Sequence, residues 1–211
     1  MTRSDNCRVS DLSVSSDNLT FTYEAKSLPY PIDTSYYDNE KHTQADALSV
    51  IPFMDEMNYE GLSVSGLSDG YYGLTIGGEF IGRFTARELE RGINMALLQN
   101  TPQYKQAMKI RQMNEERWLK ERKMREFYWV EYNLMRKTGM LWACNEAAVD
   151  TLRKYRPHDI FLQWNGALWL QYMHKGIRED CVNEQQDLVN RIYEQNKPIP
   201  LRIEIKKFTD L

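Results

Sequence analysis

Residues 61–107, GLSVSGLSDGYYGLTIGGEFIGRFTARELERGINMALLQNTPQYKQA, mark the point at which strand patterns give way to helix patterns. Two short runs of alternating apolar residues, 74–76 and 79–81, flank Gly77 and Gly78. Tight hairpin turns need a positive φ that glycine adopts at little cost, so this arrangement predicts a β-hairpin. We therefore expect strands before this stretch and helices after it.

Two helix starts follow the hairpin. Thr85 and Glu88 have the spacing of a capping box, in which a hydroxyl and a carboxylate each satisfy a free backbone N–H group. Thr101 precedes Pro102, and proline is favoured at the first position of a helix. The first start predicts an amphipathic helix over residues 86–98, which would pack on the preceding sheet.

The second start predicts one long helix near residues 102–137. No proline or glycine interrupts the chain between Pro102 and Gly139, and Gly139 has the position of a C-cap. At 1.5 Å per residue such a helix is about 50 Å long. Its middle, residues 114–126, is dominated by Glu, Arg and Lys, so this part is expected to be solvated or to bridge other parts of the molecule.

The remaining chain completes an α+β fold. Residues 9–14 and 19–23 alternate in polarity and predict a first hairpin, and residues 201–206 predict a last strand that rejoins the same sheet. We expect a small antiparallel sheet or sandwich-like domain with a large helical excursion and a C-terminal strand. The predicted domains are a β domain, 1–85 with 201–208, and a helical segment, 86–200.

Other segments carry weaker patterns. Residues 27–45 predict a long loop, and residues 47–57 suit either a short helix or an edge strand. Further helices are expected from Asn145 to Tyr155, from His158 to Lys175 with Gly176 ending it, and from Arg178 to Asn196. The last of these should bury one face, which consists of Val182, Leu188, Val189, Ile192 and Tyr193.

Composition excludes several classes of protein. The 211 residues carry a net charge of -3, with 42% apolar and 12% aromatic residues, so a packed core is expected and nucleic acid is not an expected partner. No run approaches the ~20 apolar residues that span a bilayer. Cys7, Cys144 and Cys181 are widely spaced without a CxxC pair, so neither a disulfide framework nor a zinc site is predicted.

No catalytic centre is predicted. The GDS, GxSxG and HExxH motifs of common hydrolases are absent from the sequence. His42, His158 and His174 have no evident serine and acid partners, and structural roles account for them better. We therefore name no catalytic, cofactor-binding or metal-binding residue.

Aromatic residues supply the only candidate contacts. The 27–45 loop carries Tyr30, Tyr36 and Tyr37, and long aromatic loops often meet ligands or neighbouring domains. Trp164 and Trp169 could serve the same purpose from a helix. Aromatic residues at helical spacing are more often part of a core, because each buries a large apolar area.

The sequence resembles the region that follows the catalytic domain in a group of bacterial SGNH (GDSL-type) hydrolases. The resemblance covers most of the chain and rests on structural rather than catalytic motifs: NCRVSDL at 6–12, FTYEAKSLPYP at 21–31, IPF at 51–53, ARELERGINMA at 86–96, NTPQYKQA at 100–107 and RIEI at 202–205. In such proteins the nucleophile and the late Asp-x-x-His pair lie upstream of the segment that corresponds to Asn6.

This resemblance implies a non-catalytic accessory portion of a serine esterase, with an SGNH catalytic domain as its partner. The parent would hydrolyse acyl esters, for example on carbohydrates, and would suit a secreted or periplasmic location. The alternative from the residues alone is a free-standing module that binds glycans or proteins through exposed aromatic side chains. The sequence leaves the oligomeric state open.

Overall fold

The computed structural model describes residues 3–32, 37–38 and 42–208. Residue contacts divide the chain into two compact units, which are described separately. Unit 1 comprises Met1–Arg111 and Glu194–Leu211, and unit 2 comprises Gln112–Tyr193. The predicted boundary lay at residues 85 and 86, where the first helix begins.

Nine strands lie in the described residues, and all belong to unit 1. In chain order they are β1 Cys7–Val14, β2 Asn18–Ala25, β3 Tyr37–Asp38, β4 His42–Thr43, β5 Gly61–Leu62, β6 Tyr71–Ile76, β7 Glu79–Thr85, β8 Ile93–Asn94 and β9 Leu201–Lys207. Six α-helices accompany them: α1 Phe53–Glu56, α2 Ala86–Arg91, α3 Pro102–Val130, α4 Glu146–Tyr155, α5 Ile160–Tyr172 and α6 Lys175–Gln195.

The main sheet has five strands in the order β1-β2-β9-β6-β7, and every neighbouring pair is antiparallel. The C-terminal strand β9 lies in the middle, where Ile203 is opposite Phe21 on one side and Ile76 on the other. Ile203 and Ile205 have at most 1% of their surface exposed. The prediction that the last strand rejoins the first sheet is confirmed, and so is the α+β class.

The central hairpin is also confirmed. Strands β6 and β7 are joined by Gly77 and Gly78, whose φ angles are +58° and +85°. A side chain at either position would be strained by this backbone conformation, which explains the pair of glycines. On the same sheet, β1 pairs with β2 as the predicted first hairpin, with one irregularity in register between Ser10 and Ser13.

Helix α2 begins as predicted but ends early. Thr85 Oγ1 accepts from the Glu88 amide at 3.1 Å, and Glu88 Oε2 accepts from the Thr85 amide at 2.7 Å, which is a complete capping box. The predicted extent to residue 98 is wrong, because Gly92 adopts a φ of +95° and ends the helix after Arg91. Ile93 and Asn94 then form β8, which pairs with β5.

Two segments of unit 1 with weaker sequence patterns contain short elements of secondary structure. The predicted 27–45 loop contains the two short strands β3 and β4, which pair with each other. In residues 47–57 the helical alternative holds, since a 3₁₀ helix at Gln44–Ser49 is followed by α1. No strand occupies these residues.

The long helix is present. Helix α3 runs from Pro102 to Val130 and continues as a π-helical turn over Glu131–Met135. Thr101 Oγ1 accepts from the Tyr104 amide at 3.3 Å, as expected of an N-cap. Gly139 has a φ of +73°, in agreement with its predicted place beyond the helix end.

The later helices of unit 2 follow the prediction in part. Asn145 caps α4 by accepting from the Ala148 amide at 3.0 Å. Gly176 does not end α5, however. It lies in the first turn of α6, and the break falls two residues earlier, where the Arg178 guanidinium donates to the carbonyl oxygens of Tyr172 and Met173 at 2.6 Å.

The predicted buried face of the last helix is partly wrong. Leu188 is buried, Val189 and Ile192 are partly buried, but Val182 and Tyr193 are 51% and 75% exposed. Within the described part of the chain, none of the helices combines the length and the apolar character that crossing a bilayer requires.

Candidate functional site

A cavity of about 400 Å³ lies against the main sheet of unit 1. Its walls come largely from the sheet, from residues 61–68 and from Met95, and they carry both polar and apolar surface; the apolar side includes Val9, Leu19, Phe21, Tyr23, Leu62, Val64, Tyr72, Ile203 and Ile205. Leu12 and Val14 line it while 47% and 70% exposed. Among the described residues that line the cavity there is no histidine, aspartate or glutamate, so no general base stands there for acyl transfer.

A polar cluster around Glu60 lies in the same unit. The Tyr23 hydroxyl donates to Glu60 Oε1 at 2.9 Å, and the Gln103 amide approaches both carboxylate oxygens at 3.3 and 3.4 Å. Burial raises the pKa of Glu60 above its ordinary value, against the two hydrogen bonds, which lower it. Burial and the nearby Glu60 also raise the pKa of Tyr23.

Two asparagines fix the chain that leads into this cluster. The Asn58 side chain accepts from the Tyr30 amide at 2.8 Å and donates to the Tyr30 carbonyl at 2.9 Å. Asn94 accepts from the Glu60 amide at 2.9 Å and donates to the carbonyls of Met54 and Asn58. Through these contacts the two asparagine side chains anchor the backbone at Tyr30, Met54, Asn58 and Glu60.

Of the three tyrosines predicted as contacts of the 27–45 loop, the structure describes the side-chain environment of one. Tyr30 is 51% exposed, and its ring meets Phe53 edge to face at 5.6 Å. Tyr36 lies outside the described residues, and Tyr37 is described only as a member of β3. Tyr30 therefore remains the one member of this group whose side chain is placed at the surface.

The two predicted tryptophans of α5 have different environments. Trp164 is 66% exposed, whereas Trp169 has no exposed surface. The Trp169 indole Nε1 donates to Glu131 Oε1 at 2.8 Å. Trp169 is thus a core residue that can meet no partner without opening unit 2, and Trp164 is available at the surface.

Glu131 is the buried acid of unit 2 and is only 1% exposed. It accepts from Trp169 Nε1 through one oxygen and from the Trp142 backbone amide through the other, each at 2.8 Å. It lies in the π-helical turn after α3, and such turns often shape functional or strained sites. Here the turn aims a carboxylate at two donors that would otherwise be unsatisfied.

An aromatic patch surrounds Trp164 on unit 2. Trp129 packs on Phe161 at 5.4 Å, and Phe161 meets Trp164 at 5.6 Å with an interplanar angle of 82°. Phe161 is 50% exposed and the neighbouring Ile160 is 49% exposed. We call these four residues, Trp129, Ile160, Phe161 and Trp164, the α5 patch; grouped apolar exposure of this kind marks interaction surfaces.

Sequence reasoning missed both acids. Glu131 lies in YWVEYNLM, where a single charge among apolar residues on a helix points to a buried carboxylate, so the pattern could have found it. Glu60 has no comparable pattern, since its partners lie 37 and 43 residues away. Among the described residues, no three His, Cys, Asp or Glu side chains gather in a way that could hold a metal ion.

One comparison with known proteins matches the part of the chain that contains unit 2. Residues 108–197, which contain unit 2, match the family model of the diltiazem deacetylase C-terminal helical domain. A comparison with curated protein sequences gives no match.

A solved structure is similar to nearly the whole chain. This is BT4096, a gut microbial diltiazem-metabolizing enzyme, which is 35% identical to the chain with a TM-score of 0.90. The match covers 98% of this chain and 47% of that protein, so the chain spans about half the length of the enzyme it resembles. The family match thus likens residues 108–197 to the C-terminal helical domain of a deacetylase, and the structural match likens nearly the whole chain to part of a diltiazem-metabolizing enzyme.

Proposed function

We propose that this chain is the C-terminal accessory portion of an ester hydrolase of the diltiazem deacetylase kind, and that it supports a catalytic domain without supplying the nucleophile. The observation that carries the proposal is the likeness over 98% of this chain to only 47% of a diltiazem-metabolizing enzyme. More than half of that enzyme has no counterpart here, and the reacting groups would lie in that part.

The chemistry of the described residues agrees with an accessory role. Acyl transfer by a serine needs a base within hydrogen-bond reach of the hydroxyl and an acid that orients the base. The sheet cavity offers serines without a base, and Glu131 is sealed in the core of unit 2 by a tryptophan and a backbone amide. Neither place can perform the reaction.

The resemblance seen in the sequence supplies the finer proposal. The motifs at 86–96 and 100–107 favour a serine-dependent SGNH enzyme as the parent, acting on an acyl ester of a polar molecule. Deacetylation of diltiazem, the activity in the name of the matched family, is the same class of reaction, in which an acyl ester is cleaved.

The shape of the α5 patch favours docking of a protein over binding of a sugar. Flat stacking on a sugar ring needs one open aromatic face, and tandem binding needs two faces in similar planes. The rings of Phe161 and Trp164 are nearly perpendicular, and Trp129 covers part of Phe161. Such an interlocked cluster presents apolar area for a partner domain.

The proposal is tested by comparing four proteins: this chain, the diltiazem-metabolizing enzyme, the half of that enzyme which corresponds to this chain, and the enzyme without that half. Each is assayed for release of acetate from p-nitrophenyl acetate and diltiazem, and for labelling by a fluorophosphonate that reacts with activated serines. We expect turnover and labelling for the complete enzyme alone.

Two results would contradict the proposal. Turnover by this chain together with labelling of a single serine would show that it builds its own nucleophile. Full activity of the enzyme after removal of the corresponding half would show that this half has no supporting role.

A further inference from the structure

Cys144 and His174 form an exposed pair in unit 2 that neither the accessory role nor the α5 patch uses. Cys144 Sγ lies 3.4 Å from His174 Nδ1, although the two residues are 30 positions apart in the chain. Both side chains are exposed. We propose that Cys144 is a reactive thiol, with His174 as its proton acceptor, and that it is modified by low-molecular-weight disulfides.

The distance allows direct transfer of a proton. With the imidazole proton on Nε2, Nδ1 is an acceptor and the thiol donates to it, so the proton can pass to Nδ1 and leave a thiolate beside an imidazolium. The thiolate is the nucleophilic form of cysteine, and a neighbouring histidine favours that form in cysteine nucleophiles.

The start of α4 adds a second favourable feature. Cys144 directly precedes Asn145, the N-cap of this ten-residue helix. The positive end of a helix dipole favours a negative charge nearby, and a thiolate at this position gains from it. The pair therefore combines a proton acceptor, a helix start and access from solvent.

Charged residues that follow Cys144 and His174 in the sequence bond to other groups. In α4, Arg153 bonds to both Glu146 and Asp150. In the first turns of α6, Lys175 lies 3.3 Å from Glu179, and Arg178 donates to the carbonyls of Tyr172 and Met173. His174 is thus the group that contacts the sulfur directly.

The proposed step is thiol–disulfide exchange. The Cys144 proton moves to His174 Nδ1, and the thiolate attacks one sulfur of the small disulfide. A new S–S bond forms to Cys144 while the original S–S bond breaks, and the departing thiolate takes the proton from the imidazolium. The products are a mixed disulfide on Cys144 and one free small thiol, so no other oxidant is needed.

The other two cysteines provide internal controls. Cys181 is 4% exposed, with its sulfur 3.7 Å from the Lys120 carbonyl, and Cys7 is partly buried with its sulfur 3.2 Å from Ser4 Oγ. Neither sulfur has a histidine contact among these bonds. If exposure alone set the rate, Cys144 would still react first, so a variant at His174 is required.

The test treats the intact 211-residue chain with glutathione disulfide and, in parallel, with iodoacetamide, and follows each cysteine by peptide mass spectrometry. We expect Cys144 to react first, and His174→Gln to slow it by about three- to tenfold at neutral pH. His158→Gln, a change at another exposed histidine, should leave the rate unchanged. The rate for Cys144 is also measured between about pH 5 and 9, where the profiles of the parent chain and of His174→Gln should differ.

Cys181 is buried, so a variant in which Cys181 still does not react with the reagents has remained folded. The proposal is overturned if Cys144 reacts no faster than Cys7, or if His174→Gln leaves its rate and pH profile unchanged while Cys181 stays protected. If His174→Gln exposes Cys181, His174→Asn is used, and an unchanged Cys144 rate in that folded variant overturns the proposal as well.

Discussion

Glu131 in unit 2 and Glu60 in unit 1 are both withdrawn from solvent, and the two acids are held in different ways. Glu131 in unit 2 is fully buried and has a short hydrogen bond of 2.8 Å to each carboxylate oxygen. Glu60 in unit 1 is partly buried, and only its bond to the Tyr23 hydroxyl is short, since the Gln103 amide stays at 3.3 Å or more.

The difference shows what decides whether a buried carboxylate stabilises the folded protein. A carboxylate gains from burial only if its hydrogen bonds replace the water it loses. Glu131 meets two well-placed donors, while at Glu60 the loss of water outweighs the hydrogen bonds and raises its pKa. We therefore expect Glu131 to stabilise unit 2 and ionised Glu60 to weaken unit 1.

The largest effect should come from removing the donor that reaches Glu131. Trp169→Ala leaves a large cavity and takes one of the two partners from a buried acid, so it should lower the free energy of unfolding by about 3–5 kcal/mol. Urea unfolding followed by far-UV circular dichroism measures this loss, and hydrogen exchange assigns it to unit 2.

Trp164→Ala is the matched control for that variant, because it changes the same residue type in the same helix. Its side chain is 66% exposed, so the expected cost is within about 1 kcal/mol. Equal losses for the two variants would contradict the distinction between a core tryptophan and a surface tryptophan.

A smaller loss is expected from Glu131→Gln. A glutamine has one acceptor oxygen, so either Trp169 Nε1 or the Trp142 amide must face an NH₂ group, and one buried donor loses its partner. The cost should be about 1–3 kcal/mol, measured by urea unfolding. Glu126→Gln, which removes an exposed ion pair with Arg122 near the end of α3, should cost at most about 1 kcal/mol.

Some of the features behind these expectations could be predicted from the sequence, and others could not. In unit 1, alternation of polarity placed β9 in the sheet, and the Gly77-Gly78 pair and the Thr85 cap fixed local structure that needs no distant partner. The helix end at Gly92 was missed because the sequence pattern does not show the backbone conformation of a glycine, and β8, which follows Gly92, pairs with β5, a strand much earlier in the chain.

In unit 2 the helices were predictable, but their buried faces were not. Helix α5 has few polar residues, so the sequence offers no face that must point to solvent. Trp164 and Trp169 are five residues apart and point in different directions, and their environments depend on contacts with distant elements. The Cys144–His174 pair and the partners of Glu60 could not be predicted from the sequence for the same reason, since they too are contacts between distant positions in the chain.

The smallest effect, and the sharpest contrast, should come from Glu60→Gln. The raised pKa of Glu60 means that the folded chain keeps a proton that the unfolded chain releases. Stability from this group is therefore fully present below the unfolded pKa and declines as pH rises through the folded pKa. Glutamine resembles the protonated acid: its oxygen can accept from Tyr23, and its NH₂ can donate to Gln103 Oε1, which has no partner among the described residues.

Glu60→Gln should consequently match the parent chain at low pH and become the more stable protein as pH rises toward neutrality. Urea unfolding over that pH range measures the difference, with Glu131→Gln in parallel. At neutral pH the same change from acid to amide should stabilise at one position and destabilise at the other. If Glu60→Gln were destabilising at neutral pH, or if its effect did not depend on pH, the Glu60 carboxylate would be as well satisfied as that of Glu131, and the contrast between the two units would disappear.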